Sequence, residues 1–410
     1  MIKRLQIALV FVFGLMSFST TLNAVTFPDF GLERQAFEYK QILNAYFDIP
    51  NPAGSWPAAA TAIYSPYVVK RSHNKYVMFF GVSINCNGSN PAYRDSIAYA
   101  ESPDGVNNWV FMGYIIEPDP RTCENAGTQE KGFLYQVNDP SVVFQNNHYY
   151  VLYTSVFHRS PIDYHNGNSY LECGHIGTAI FDAEMKLVYR NDKYLTPSDT
   201  DCWIYSGFSR PAHRQTGPGS YELWYDSSTH LRWVPITAVD VLVNPIKTQC
   251  PHTQNPWVEC VGNFAGVVGG RDYEVLSLDK NYKLILSTGA PNQGVNFLIG
   301  DNNGNVSVPW RPFTRFSGQI PDWDGSWGQN GVSGGHHDAW FPTRLQSYKN
   351  YGGEHGSPQV FFDKESCTTR TYFGAGKYGV NANVTTPNIV TVNIGVAIPK
   401  NDLLGQKLCS

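Results

Sequence analysis

Charge is scarce in this chain. Asp, Glu, Lys and Arg make up 16 % of its 410 residues, and 30 basic against 34 acidic side chains leave a formal net charge of −4. That balance supplies no basic field for nucleic acid or an anionic membrane. Long apolar runs are lacking too. The one extended run, residues 7–16, is short for a membrane span. It follows Lys3 and Arg4 and leads to Thr20-Thr21-Leu22-Asn23-Ala24, the pattern of an export signal over residues 1–24. The sequence carries no phosphate-cradling glycine loop, no serine-nucleophile elbow and no His-Glu-x-x-His run.

What is abundant points to β structure. Aromatics reach 14 %, with 37 Gly and 26 Pro, the profile of a β-rich, loop-rich globular protein. All eight cysteines fall after the export signal, and an even count in an exported chain argues for disulfides. Their spacing matches no zinc site. Pairing neighbours in sequence is the simplest of the alternatives: Cys86–Cys123, Cys173–Cys202, Cys250–Cys260 and Cys367–Cys409. The mature chain, residues 25–410, reads as one domain, expected outside the cytoplasm (extracellular or periplasmic) and monomeric.

One hairpin recurs along it. Asn138-Asp139-Pro140-Ser141-Val142-Val143-Phe144 leads through a polar turn into His148-Tyr149-Tyr150-Val151-Leu152-Tyr153-Thr154. Tyr64-Ser65-Pro66, Phe208-Ser209-Arg210-Pro211 and Gly356-Ser357-Pro358 open similar hairpins. Proline cannot donate to a ladder, which places each X-Pro at the mouth of its strand. A second hairpin follows the first copy, with Pro103-Asp104-Gly105 as its turn, and two hairpins make a four-stranded antiparallel blade. Repetition of this unit predicts a propeller. Four blades can be traced; the fifth is expected from residues 260–345 with a contribution from the N-terminal segment, where residues 34–47 read as a short helix.

On Asn138-Asp139-Pro140-Ser141-Val142 with its aromatic partner strand, on Ile97-Ala98-Tyr99-Ala100-Glu101-Ser102-Pro103-Asp104-Gly105, and on Arg210-Pro211, the chain resembles the five-bladed β-propeller glycosidases of the family 43 type. The resemblance implies a five-bladed β-propeller of four-stranded antiparallel blades, with carbohydrate as the ligand. It also implies three acids projecting into an axial funnel. One activates water, one donates a proton, and the third separates their pKa values. Asp139 matches the second-blade aspartate, the one the resemblance implies separates the pKa values and holds the sugar. Ser65 stands where the first-blade aspartate belongs, and Ser209 or Arg210 where the third-blade acid belongs. A second register, that of the sucrose-cleaving relatives, makes Asp139 the nucleophile and Glu259 the acid.

Activity is therefore open at this point. Either the chain hydrolyses glycosides with a second carboxyl from Glu259, Asp324 or Asp338, or it is an inactive propeller that binds glycan or protein. Ser65, Ser209, Arg210, Asp338 and Trp340 are the candidate sugar-binding residues, with Asp322, Trp323 and Trp327 in a neighbouring loop. No cofactor is required. The resemblance allows a structural calcium in the central channel, with His337 or His355 near it; calcium takes oxygen ligands, so an imidazole would reach it through water.

Overall fold

The computed structural model describes residues 37–45, 48–50, 60–85, 93–119, 134–158, 172–197, 208–217, 219–227, 230–237, 271–288, 295–301, 358–377 and 391–410. These residues are almost entirely strand. The first unit comprises β2 (Ala60–Ser72), β3 (Lys75–Asn85), β4 (Tyr93–Ser102) and β5 (Val110–Ile116). The second comprises β6 (Leu134–Gln145), β7 (His148–His158), β8 (Glu172–Asp182) and β9 (Leu187–Leu195). The third holds β10 (Ser209–Gly217), β11 (Ser220–Ser227) and β12 (His230–Thr237), and the fourth β13 (Arg271–Ser277), β14 (Tyr282–Thr288) and β15 (Val295–Asp301). The last is β16 (Gln359–Asp363), β17 (Thr368–Lys377) and β18 (Thr391–Pro399), completed on its outer edge by β1 (Phe37–Leu43) from the other end of the chain.

Hydrogen bonding gathers these strands into four sheets, of which the largest has eight strands. That sheet divides at a single parallel pair, Val392 with Ala62, into two antiparallel units. Five units result. Their first strands close a ring: β2 touches β6, β6 touches β10, β10 touches β13, β13 touches β16 and β16 returns to β2. This is the propeller expected from the repeated hairpins.

The seams between blades are the core. Met78, Phe80, Ala98 and Ala100 of the first blade pack with Phe361, Tyr372, Ile394 and Val396 of the last. Val77, Phe79 and Ile97, on the opposite face of the same strands, pack with Val142, Tyr149 and Val151 of the second blade. The next seam joins Leu152 and Ile176 to Leu223 and Tyr225. Strand alternation sends successive side chains to opposite faces, so one hairpin of Tyr, Phe and Val serves two seams at once. Beyond the third blade the seam turns polar. Lys283 lies 4.9 Å over the Trp224 ring, and Arg214 donates to Glu222 at 2.8 Å. Burial pushes the Lys283 ammonium down to about 8, against the pull of Glu222.

Two readings need correction. Within the stretch expected as a short helix, Phe37–Leu43 is instead β1, paired with β18 from Phe37 opposite Pro399 onward. Its Glu, Lys, Gln and Leu favour helix weakly, and a complete row of ladder partners outweighs that preference. Ser65-Pro66 and Asp139-Pro140 lie inside β2 and β6, not at the mouths, because a bulge removes the need for the missing N–H; Arg210-Pro211 stands at the start of β10 and Pro358 directly precedes β16, at the mouths as expected. At the far end, helix α1 (Leu403–Cys409) is pinned by the Cys367–Cys409 disulfide, as expected. Cys173 is also disulfide-bonded; the other cysteines, like the export signal, lie outside the described residues.

Candidate active site

Each of the first three axial strands breaks register at its X-Pro pair. The ladder skips from Tyr64 to Tyr67 in β2, from Asn138 to Ser141 in β6 and from Ser209 to Ala212 in β10. The residue before proline takes a left-handed backbone at all three: φ is 50° at Ser65, 50° at Asp139 and 53° at Arg210. Such a conformation costs a non-glycine residue about 1–3 kcal/mol, and it is also disfavoured ahead of proline. Threefold repetition of an outlier implies a common purpose. The bulge carries Ser65, Asp139 and Arg210 to the wall of one axial pocket.

That pocket measures about 300 Å3 out to its open side and is lined by Ser65-Pro66-Tyr67, Asp139-Pro140, Arg210-Pro211, Glu274 and Pro358-Gln359. All five blades contribute. Ser209, by contrast, precedes the bulge and does not line the pocket; it occupies the register place of Tyr64 and Asn138. Of the two residues proposed for the third-blade acid position, Arg210 is the one that reaches the axis.

Asp139 is the carboxyl at the centre of this arrangement. Ser65 Oγ donates to its Oδ1 at 2.5 Å, and Thr154 Oγ1 to its Oδ2 at 3.2 Å. Thr154 Oγ1 in turn accepts from the Arg210 backbone N–H at 2.8 Å. One threonine on β7 therefore ties the second blade's acid to the third blade's bulge. Acceptance at both oxygens is the pattern that an ionised carboxylate satisfies. Behind it, Asn138 Nδ2 lies 3.4 Å from Asp95 Oδ2. Asp95 also holds hydrogen bonds with Ser83 and Tyr64; burial raises its carboxyl, those partners oppose the shift, and the Asp139 charge adds to it.

One step further along each strand lies a second ring. Counting two residues past the X position gives Tyr67, Ser141, Ala212, Glu274 and Gln359. Tyr67 hydrogen-bonds with Ser141, Glu274 and Gln359. Gln359 grips the backbone of Val68 from both ends of its amide, at 2.6 and 2.8 Å. Ser141 Oγ accepts from the His213 N–H at 2.9 Å and lies 3.0 Å from its Nδ1; burial pushes this imidazole down to about 3.

Glu274 was not anticipated. The fourth blade carries the same bulge, between Arg271 and Glu274, but with Asp272-Tyr273 where the other blades have X-Pro. A search for proline passes over it. The residue is only 6 % exposed, and burial pushes its carboxyl well above the usual range while the hydrogen bond with Tyr67 pulls the other way. Asp272 stands at the register position of Ser65, Asp139 and Arg210.

Glu259, Asp322, Trp323, Asp324, Trp327, His337, Asp338, Trp340 and His355 lie outside the described residues. Among the described residues, no group of three or more His, Cys, Asp and Glu is placed to hold a metal ion. The axial donors fit calcium poorly, since Asp139 has both oxygens engaged and shares the pocket with a guanidinium.

No family model and no curated protein matches the sequence. Solved structures do. One comes from work on the GH130 family of mannoside phosphorylases, which contains glycoside hydrolases that target β-1,2 mannosidic linkages in Candida mannan. It is 11 % identical, covering 92 % of this chain and 97 % of its own, at a TM-score of 0.50. A family 117 glycoside hydrolase from the marine bacterium Zobellia galactanivorans is 12 % identical over 90 % of this chain and 91 % of its own, at 0.45. A thermostable family-43 glycoside hydrolase is 12 % identical over 83 % and 93 %, at 0.44. At such identities the likeness is one of fold: the chain folds as the β-propeller glycosidases do.

Proposed function

We propose that the protein is an exported, carbohydrate-active propeller that cleaves glycosidic bonds of a poly- or oligosaccharide at its axial pocket. One observation carries this reading. Asp139 is delivered to the pocket on a strained bulge, with each oxygen held by a hydroxyl. Backbone strain held at a pocket wall by surrounding bonds is characteristic of functional sites, and structural stability alone gives no reason to place a carboxylate there. Arg210, beside it, offers up to five donors that suit sugar hydroxyls or an acidic sugar.

The rival reading is a binding module. It is favoured by Ser65 and Arg210 standing where related propellers place acids, since losing members of a cooperating set usually costs orders of magnitude in rate. A single experiment separates the two. Residues 25–410 are incubated with arabinan, xylan, fructan, agar, β-1,2-linked mannan and host glycans, and released reducing ends and co-sedimented protein are scored together. Release that Asp139→Asn abolishes establishes hydrolysis; sedimentation without release establishes a lectin. Neither result on any glycan removes carbohydrate from the account.

A further inference from the structure

We propose that Glu274 is the proton donor of this site, the second carboxyl for which the sequence offered Glu259, Asp324 and Asp338. The inference rests on the hydrolytic reading of the axial pocket and adds a residue and a role to it. Three observations support it. Glu274 lines the same pocket as Asp139, reaching it from the fourth blade. It arrives by the same register break that places Ser65, Asp139 and Arg210. Its partner is a phenol, Tyr67, whose other partners Ser141 and Gln359 fix its position.

The two carboxyls then differ in the way glycoside cleavage requires. Asp139 accepts two hydroxyls and shares its pocket with a guanidinium, surroundings that favour charge. Glu274 is buried one ring deeper, with no salt bridge among the described residues, surroundings that push its carboxyl up and favour the protonated form. In the reaction the bond from the anomeric carbon to the leaving oxygen breaks. That oxygen takes the Glu274 proton and leaves a carboxylate. Water adds to the anomeric carbon and gives its proton to Asp139. Once products depart, Glu274 regains a proton and Asp139 loses one, so each cycle consumes one water.

The test uses Glu274→Gln, which keeps the size, the neutrality and an acceptor for Tyr67. Its substrates are the glycan cleaved most readily in the panel and the 2,4-dinitrophenyl glycoside of that glycan's terminal sugar. The dinitrophenolate leaves without protonation, whereas the natural leaving alcohol needs it. Glu274→Gln should lower kcat on the glycan by about 10²–10⁴-fold. On the aryl glycoside it should lose far less, and the alkaline limb of the wild-type pH profile should vanish. A purely structural role would depress both substrates together. An infrared difference spectrum of wild type minus Glu274→Gln at neutral pH gives a check that needs no turnover, through a protonated-carboxyl carbonyl band. Equal loss on the two substrates, or a carboxylate band in place of the acid band, overturns the assignment while leaving hydrolysis intact. A wild type that cleaves no glycan overturns both.

Discussion

The second and fourth blades build acids into the same pocket by different means. In the second, Asp-Pro forms the bulge itself, and the acid stands at its crest among hydroxyls. In the fourth, Tyr273 replaces the proline and the glutamate follows two residues after Asp272, in the deeper ring. The difference in surroundings therefore comes from position along the strand, where Glu274 is buried and its carboxyl is pushed up, not from Asp against Glu, whose ordinary values are nearly equal. One repeated hairpin can thus set carboxyls at successive positions around the axis in different surroundings.

The sharpest way to break this contrast is to remove the outer charge. Asp139→Asn should cut sugar release by about 10³-fold or more, measured as reducing ends, while thermal unfolding stays close to wild type. Removing the tie between blades tests how the outer acid is held. Thr154→Val deletes a donor to Asp139 and the acceptor of the Arg210 N–H, and should cost about 2 kcal/mol in urea unfolding.

The inner acid is tested by pH. Burial pushes the Glu274 carboxyl well above its ordinary value of 4.5 in the folded protein, so the folded state binds more protons than the unfolded chain above that pH. Stability from this group is whole below pH 4.5 and falls as pH rises toward the folded value, by up to about 1.4 kcal/mol per pH unit. Glu274→Gln should flatten that slope in denaturant titrations from pH 5 upward. A slope unchanged by the substitution would put both acids in equivalent surroundings. The smallest effect is expected at Ser65→Ala, where loss of one hydroxyl to a half-buried carboxylate should cost about 1 kcal/mol and raise the apparent pKa of the base in the rate profile.

Much of the architecture was legible because the hairpins repeat. X-Pro followed by aromatic strands marked four of the five axial strands, and strand alternation in Val77–Phe80 explains how one strand feeds two seams. The Cys367–Cys409 bridge was legible from proximity in sequence. Two features were hidden, for different physical reasons. Strand β1 owes its state to β18, some 350 residues away, and nothing local in Phe-Glu-Tyr-Lys-Gln-Ile-Leu announces it. Glu274 was missed because proline marks the bulge in the other blades while the register break itself leaves no residue signature. The motif singled out Asp139 and Arg210, which the structure brings to one pocket, but their shared threonine comes from β7, whose aromatic run reads as core.

The pairing of β1 with β18 has a consequence for the life of the chain. The final blade takes its outer strand from residues 37–43 and its other three from residues 359–399. In synthesis β1 is made long before the partner that holds it, so this edge of the ring has no ladder to join until β18 has emerged.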